Sequence, residues 1–91
     1  MELAGLPGYE LILEGLDDLE AGRESASALL VLIGAERLSR IGVPIPSSAA
    51  DDPEHRLYAL LAREDPDSAH SRYNALIRQL VSFERAAECA A

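Results

Sequence analysis

The sequence predicts an all-α fold, a small antiparallel four-helix bundle, and three observations lead to this. Hydrophobic residues make up 48% of the chain but aromatic residues only 4%, so the core must be aliphatic. Alanine and leucine, both strong helix formers, are common, whereas the β-branched residues that favour strands are sparse. Glycine and proline divide the chain into four segments with helical periodicity. Because 91 residues allow one hydrophobic core, we expect a single helical domain over 1–91.

The first helix is predicted over 7–21, opened by Pro7 and followed by Gly22. One side carries apolar side chains at spacings of three and four residues: Tyr9, Ile12, Leu13, Leu16 and Leu19. The opposite side carries four carboxylates: Glu10, Glu14, Asp17 and Asp18. This pattern indicates an amphipathic helix with an acidic outer face.

The second helix is predicted over 24–41, closed by Gly42, and its first half is apolar on every side. A helix with this pattern is buried on every side. We expect that the other helices of so short a chain do not cover it. The sequence therefore predicts a homodimer, or another protein as partner, that covers Ala28, Leu29 and Leu32.

The second half of the chain contains the longest connection and two further helices. In the connection 42–51, residues 43–46 are predicted to be extended and 47–50 to be loose. The third helix is predicted over 53–64, with Asp51 or Asp52 as N-cap. The fourth is predicted over 66–87, with an apolar stripe at helical spacing: Ala69, Tyr73, Leu76, Leu80, Phe83 and Ala87.

The charge of the chain excludes several functions. Sixteen acidic residues stand against eight basic ones, all of them arginine, for a net charge of −8. Without lysine there is no Schiff-base or P-loop lysine chemistry. The acidity argues against binding to nucleic acid or to an anionic membrane. The single cysteine, Cys89, and the lack of a basic segment at the start predict a cytoplasmic protein.

The acidic outer face of the first helix has two interpretations. Carboxylates one or two turns apart can bind a divalent cation. Di-metal helical bundles, however, point their carboxylates inward beside a Glu-x-x-His motif, which is absent here. His55 and His70 also stand without metal-ligand spacing. We therefore predict no metal and interpret the carboxylates as a solvated face, met by arginines of another helix or subunit.

Two pairs of residues break the helical patterns. Glu84 falls within the apolar stripe of the fourth helix, and Arg37 within that of the second, so we expect a structural ion pair between them. Gly15 and Gly34 stand inside helices, where glycine costs about 1 kcal/mol relative to alanine. Close approach of two helices is the expected compensation at both positions.

Arg63 and His70 are separated by six residues. This spacing resembles the Arg-x(4–6)-His pattern of the HEPN family of helical nucleotide-binding and ribonuclease domains. The resemblance covers eight residues and the helical architecture. The polar residue that follows the family's arginine is Glu64 here, and Asp65-Pro66 interrupts the segment. The resemblance implies that Arg63 and His70 of paired subunits form a site for attack on RNA phosphodiesters.

No other constellation supports catalysis, since Cys89 has no histidine near it and no glycine-rich nucleotide loop is present. We therefore expect a non-catalytic, helical module for protein interaction and self-association, without a cofactor. Its expected surface combines the apolar and the acidic residues named above: Ala28, Leu29, Leu32, Glu10, Glu14, Asp17 and Asp18. The alternative is a HEPN-like ribonuclease or nucleotide-binding domain that uses Arg63 and His70.

Overall fold

Five α-helices and no β-strand make up the residues that the computed structural model describes, which are 3–46 and 51–90. The all-helical prediction is confirmed. Helix α2 is central, because it packs on α1, α4 and α5, while α4 also packs on α5. The helices are α1 (Tyr9–Glu20), α2 (Ala26–Ile33), α3 (Ala35–Arg40), α4 (Pro53–Glu64) and α5 (Ala69–Ala90).

The second predicted helix is divided, which corrects the expected count of four helices to five. Helix α2 ends at Gly34, whose φ of −94° and ψ of 8° depart from helical values. Helix α3 follows at once and is held to the core by Leu38, which is fully buried. A Cβ at position 34 would lie 2.9 Å from Leu80 Cδ1 and 3.0 Å from Glu84 Oε2. The close approach of α5 to this backbone accounts for the glycine.

The all-round apolarity of α2 does not require a second chain, and this corrects the expectation for Ala28 and Leu29. Each of these side chains is only 1% exposed in the single chain, and Leu32 is half-buried. The helices α1, α4 and α5 cover α2 because all three pack against it. The three residues therefore belong to the core or its edge, and the apolarity of α2 carries no argument for a dimer.

Side-chain caps mark the start of α2 and of α4. Ser25 is the N-cap of α2, and its hydroxyl accepts a hydrogen bond from the Ala28 amide. Asp52 caps α4, with Pro53 in the first turn, as predicted. Helix α5 begins at Ala69 and not at 66, because the Asp65 side chain accepts hydrogen bonds from the Asp67 amide and the Ser68 hydroxyl. The predicted loose segment 47–50 lies outside the described residues.

The core is aliphatic except for one aromatic ring. The largest fully buried side chains are Phe83 and six aliphatic ones: Leu29, Leu30, Val31, Leu38, Leu57 and Leu61. Among the described helices, none combines the length and the apolarity needed to span a bilayer.

Candidate interaction surface

The outer face of α1 carries several carboxylates that have no partner among the described residues. Glu10, Asp17 and Glu20 are exposed, and their side chains make no hydrogen bond or ion pair with residues 3–46 or 51–90. Leu13 lies among them and is 42% exposed. Among the described residues, Tyr58 on α4 is the other large hydrophobic residue with comparable exposure, and its ring packs against Tyr73. An acidic helix face around one exposed leucine is therefore available for contact.

Two members of the predicted acidic face are engaged inside the chain. Asp18 accepts a hydrogen bond of 2.6 Å from the Ser25 hydroxyl and pairs with Arg23 at 2.9 Å. Glu14 accepts one of 3.0 Å from the Ser27 hydroxyl on α2. Asp18, in the last turn of α1, thus contacts the segment that joins α1 to α2 and orients the serine that caps α2. The predicted ion pair between a carboxylate of this face and an arginine is therefore formed by Asp18 and Arg23 of the same chain.

We expect Asp18→Asn to destabilise the fold at neutral pH. The hydrogen bond from Ser25, followed by that from Arg23, lowers the pKa of Asp18 below its ordinary value of 3.8. A carboxyl whose pKa is lower in the folded than in the unfolded state stabilises the fold at pH values above its unfolded-state pKa. This stabilisation is lost as the pH falls through the folded-state pKa. Thermal unfolding should show a lower Tm for the variant at pH 7 and coinciding Tm values in strong acid. A Tm difference that persists unchanged in acid would contradict this account.

The outer face of α5 carries arginines without partners. Five of the eight arginines form ion pairs: Arg23, Arg37, Arg40, Arg56 and Arg72. The other three, Arg63, Arg78 and Arg85, make no side-chain hydrogen bond or ion pair with the described residues. Arg78 and Arg85 are exposed and seven residues apart, which places them on one side of α5. The spacing was visible in the sequence, but their lack of partners was not.

Two shallow grooves bring the acidic and the basic faces near each other. One, of about 520 Å³, is lined by Glu10 and Glu14 among others, and the second, of about 460 Å³, by Arg78. Gly8 and Gln79 line both grooves and therefore lie between them. A Cβ at Gly8, where φ is +79°, would lie 2.9 Å from the Gln79 carbonyl oxygen. This glycine allows the segment before α1 to rest on α5.

We call this region the bipolar surface. Glu10 and Glu14 form its negative side, and Arg78 and Ser82 form its positive side. Gly8 and Gln79 lie at its centre.

The predicted ion pair between Arg37 and Glu84 is present. Arg37 Nη1 lies 3.5 Å from Glu84 Oε1, and Arg37 Nη2 also pairs with Glu88. Glu84 is only 4% exposed, and burial, opposed in part by Arg37, raises its pKa above the ordinary value of 4.5. The pairing with Glu88 raises the pKa of Arg37. The cluster joins α3 to α5, and its groups already engage one another, so we assign it a structural role.

The structure does not join Arg63 to His70. Arg63 lies in the last turn of α4 and His70 near the start of α5, and both are exposed. The Asn74 amide nitrogen lies 3.1 Å from His70 Nε2, and Glu64 pairs with Arg72 at 2.9 Å. No hydrogen bond or ion pair connects the two candidate catalytic residues within the part of the chain described. That part also contains no group of three or more metal-ligating side chains.

The chain was compared with models of protein families, with curated proteins and with solved structures, and none of these matches it. The resemblance to the HEPN pattern, which rests on Arg63 and His70, therefore stays a prediction.

Proposed function

We propose that this protein is a non-catalytic helical module that self-associates through its charged outer helix faces. The observation that carries the proposal is the pair of unpartnered arginines on α5, Arg78 and Arg85. Acidic residues outnumber arginines two to one in this chain. Carboxylates are therefore in excess in this chain, yet these two arginines pair with none of the described ones. A negatively charged protein surface is the partner that they fit.

A second copy of the chain supplies that surface. The outer face of α1 carries Glu10, Asp17 and Glu20 without intramolecular partners, and it carries the exposed Leu13. Contact between α1 of one copy and α5 of another would place these carboxylates opposite the arginines. Such complementarity orients the contact and favours it over contact between two acidic faces, which repel.

A non-catalytic role is favoured by how the reactive side chains are placed. His55 and His70 are exposed on different helices, and Cys89 is exposed near the end of α5. Glu84, the buried carboxylate, is held by Arg37. An active site needs an acid, a base or a nucleophile within hydrogen-bond reach of a common point. These side chains offer no such set in the described residues.

The proposal is tested by molar mass as a function of protein concentration. We expect reversible association with a Kd in the range of about 1 to 500 µM, since the surface is polar and has few apolar anchors. The affinity should fall between about 0.15 M and about 0.5 M NaCl, where salt screens exposed opposite charges. Sedimentation equilibrium with a reductant present, to prevent a Cys89 disulfide, measures both effects. A strict monomer at millimolar concentration would overturn the proposal.

A further inference from the structure

We propose that two copies of the chain form a closed, two-fold symmetric dimer through the bipolar surface, with Glu10 of each copy paired with Arg78 of the other. The inference rests on the proposed self-association and names its geometry. Charges of opposite sign lie on the two sides of one centre, which Gly8 and Gln79 form. Glu10 lines only the groove on one side of Gly8 and Gln79, and Arg78 lines only the groove on the other side.

A two-fold axis makes this arrangement complementary to itself. In a two-fold interface the same surface of both copies is in contact. Residues on one side of the axis in one copy then face the residues on the other side of the axis in its partner. If the axis passes close to Gly8 and Gln79, the negative half of each copy faces the positive half of its partner. Two equivalent contacts between Glu10 and Arg78 result, and because each copy uses both of these residues, neither is left to recruit a third copy.

The two side chains are free to make these contacts. Both are exposed, and neither makes a side-chain hydrogen bond or ion pair with residues 3–46 or 51–90. Gln79, also exposed at the centre, offers an amide that can bond to its symmetry mate. Glu14, on the negative side, already accepts a hydrogen bond from Ser27, so Glu10 is the carboxylate with its full capacity available.

Charge reversal tests the pairing directly. Glu10→Arg and Arg78→Glu each place like charges opposite each other twice per dimer, and each should weaken association by about tenfold or more. The double variant, with both changes in one chain, restores opposite charges with reversed polarity, and its affinity should return to within about threefold of the original. An equimolar mixture of the two single variants should also associate, and more tightly than either variant alone.

Arg63→Glu is the matched control. Arg63 is also exposed and unpaired among the described residues, but it lies on α4 and lines neither groove. The control alters the net charge as Arg78→Glu does and should leave the affinity within about twofold. Circular dichroism of each variant checks that the helical fold is kept.

Sedimentation equilibrium of the full chain distinguishes the outcomes. Rescue by the double variant, with a mass that levels off at twice the 9.8 kDa of one chain, supports the closed dimer. Association that neither reversal weakens, or a mass that keeps growing beyond two chains, overturns the inference while the self-association stands. A monomeric original chain overturns both the inference and the proposed function.

Discussion

Replacement of Gly15 by alanine should lower the free energy of unfolding by about 3 kcal/mol, a large part of the stability of a domain of this size. A Cβ at this position would overlap the Ser27 carbonyl oxygen and would lie 2.5 Å from Val31 Cγ2. The overlap is with backbone, so α1 and α2 would have to move apart. That separation outweighs the gain of about 1 kcal/mol that alanine brings to a helix interior. Urea unfolding followed by circular dichroism measures the change.

Two other glycines serve as controls for this prediction. A Cβ at Gly34 meets the terminal methyls of Leu80 and the Glu84 carboxylate, which can shift, so Gly34→Ala should cost less than about 1 kcal/mol. A Cβ at Gly5 meets nothing within 4 Å, and Gly5→Ala should change stability by less than about 0.5 kcal/mol. Equal losses at positions 15 and 34 would show that backbone contact between α1 and α2 is not what Gly15 provides.

Replacement of Glu84 by glutamine should stabilise the protein near neutral pH by about 1–2 kcal/mol, because it removes a buried charge. Burial raises the pKa of Glu84 in the folded state. A carboxyl with a raised folded-state pKa contributes stability that is fully present below the unfolded pKa of about 4.5. This contribution is lost as the pH rises through the folded-state pKa. Arg37 keeps Glu88 as its partner in the variant.

The pH dependence separates this effect from a change in packing. The stability difference between Glu84→Gln and the original chain should be near zero below pH about 4 and should grow to its full value above the folded-state pKa. Urea unfolding from pH about 3.5 to about 7.5 gives the profile. Glu88→Gln is the control, since Glu88 is exposed and also pairs with Arg37. A variant that is less stable at neutral pH would mean that the attraction of Arg37 exceeds the effect of burial.

Local patterns predicted most of the fold, and the exceptions have a common origin. The range of α4 was predicted as 53–64, because Asp52 and Pro53 form a local start signal. The break at Gly34 was not predicted, and the contacts that leave no room for a side chain there come from Leu80 and Glu84, which are distant in sequence. Periodicity alone shows which sides of a helix are apolar but not how many neighbours cover them. The interpretation of α2 as an exposed interface failed for that reason.

The candidate surface was predictable only in part. The acidic residues of α1 and the arginines of α5 were recognisable from their spacing. Their pairing was not, because Asp18 meets Arg23 and Ser25 through the turn that joins α1 to α2. Arg78 was singled out because it has no partner among the described residues, and only the folded structure shows this. The ion pair of Arg37 with Glu84 was predictable because each residue interrupts an apolar stripe.

The backbone contact at Gly15 also bears on the entropy of binding. Because the backbone of α1 packs directly against the Ser27 carbonyl and the Val31 side chain of α2 there, the two helices have little freedom to slide or rotate past each other. The carboxylates on the outer side of α1 are therefore held on a preorganised backbone before any partner arrives. Their association loses side-chain freedom but little backbone freedom, which lets a small polar surface reach a measurable affinity.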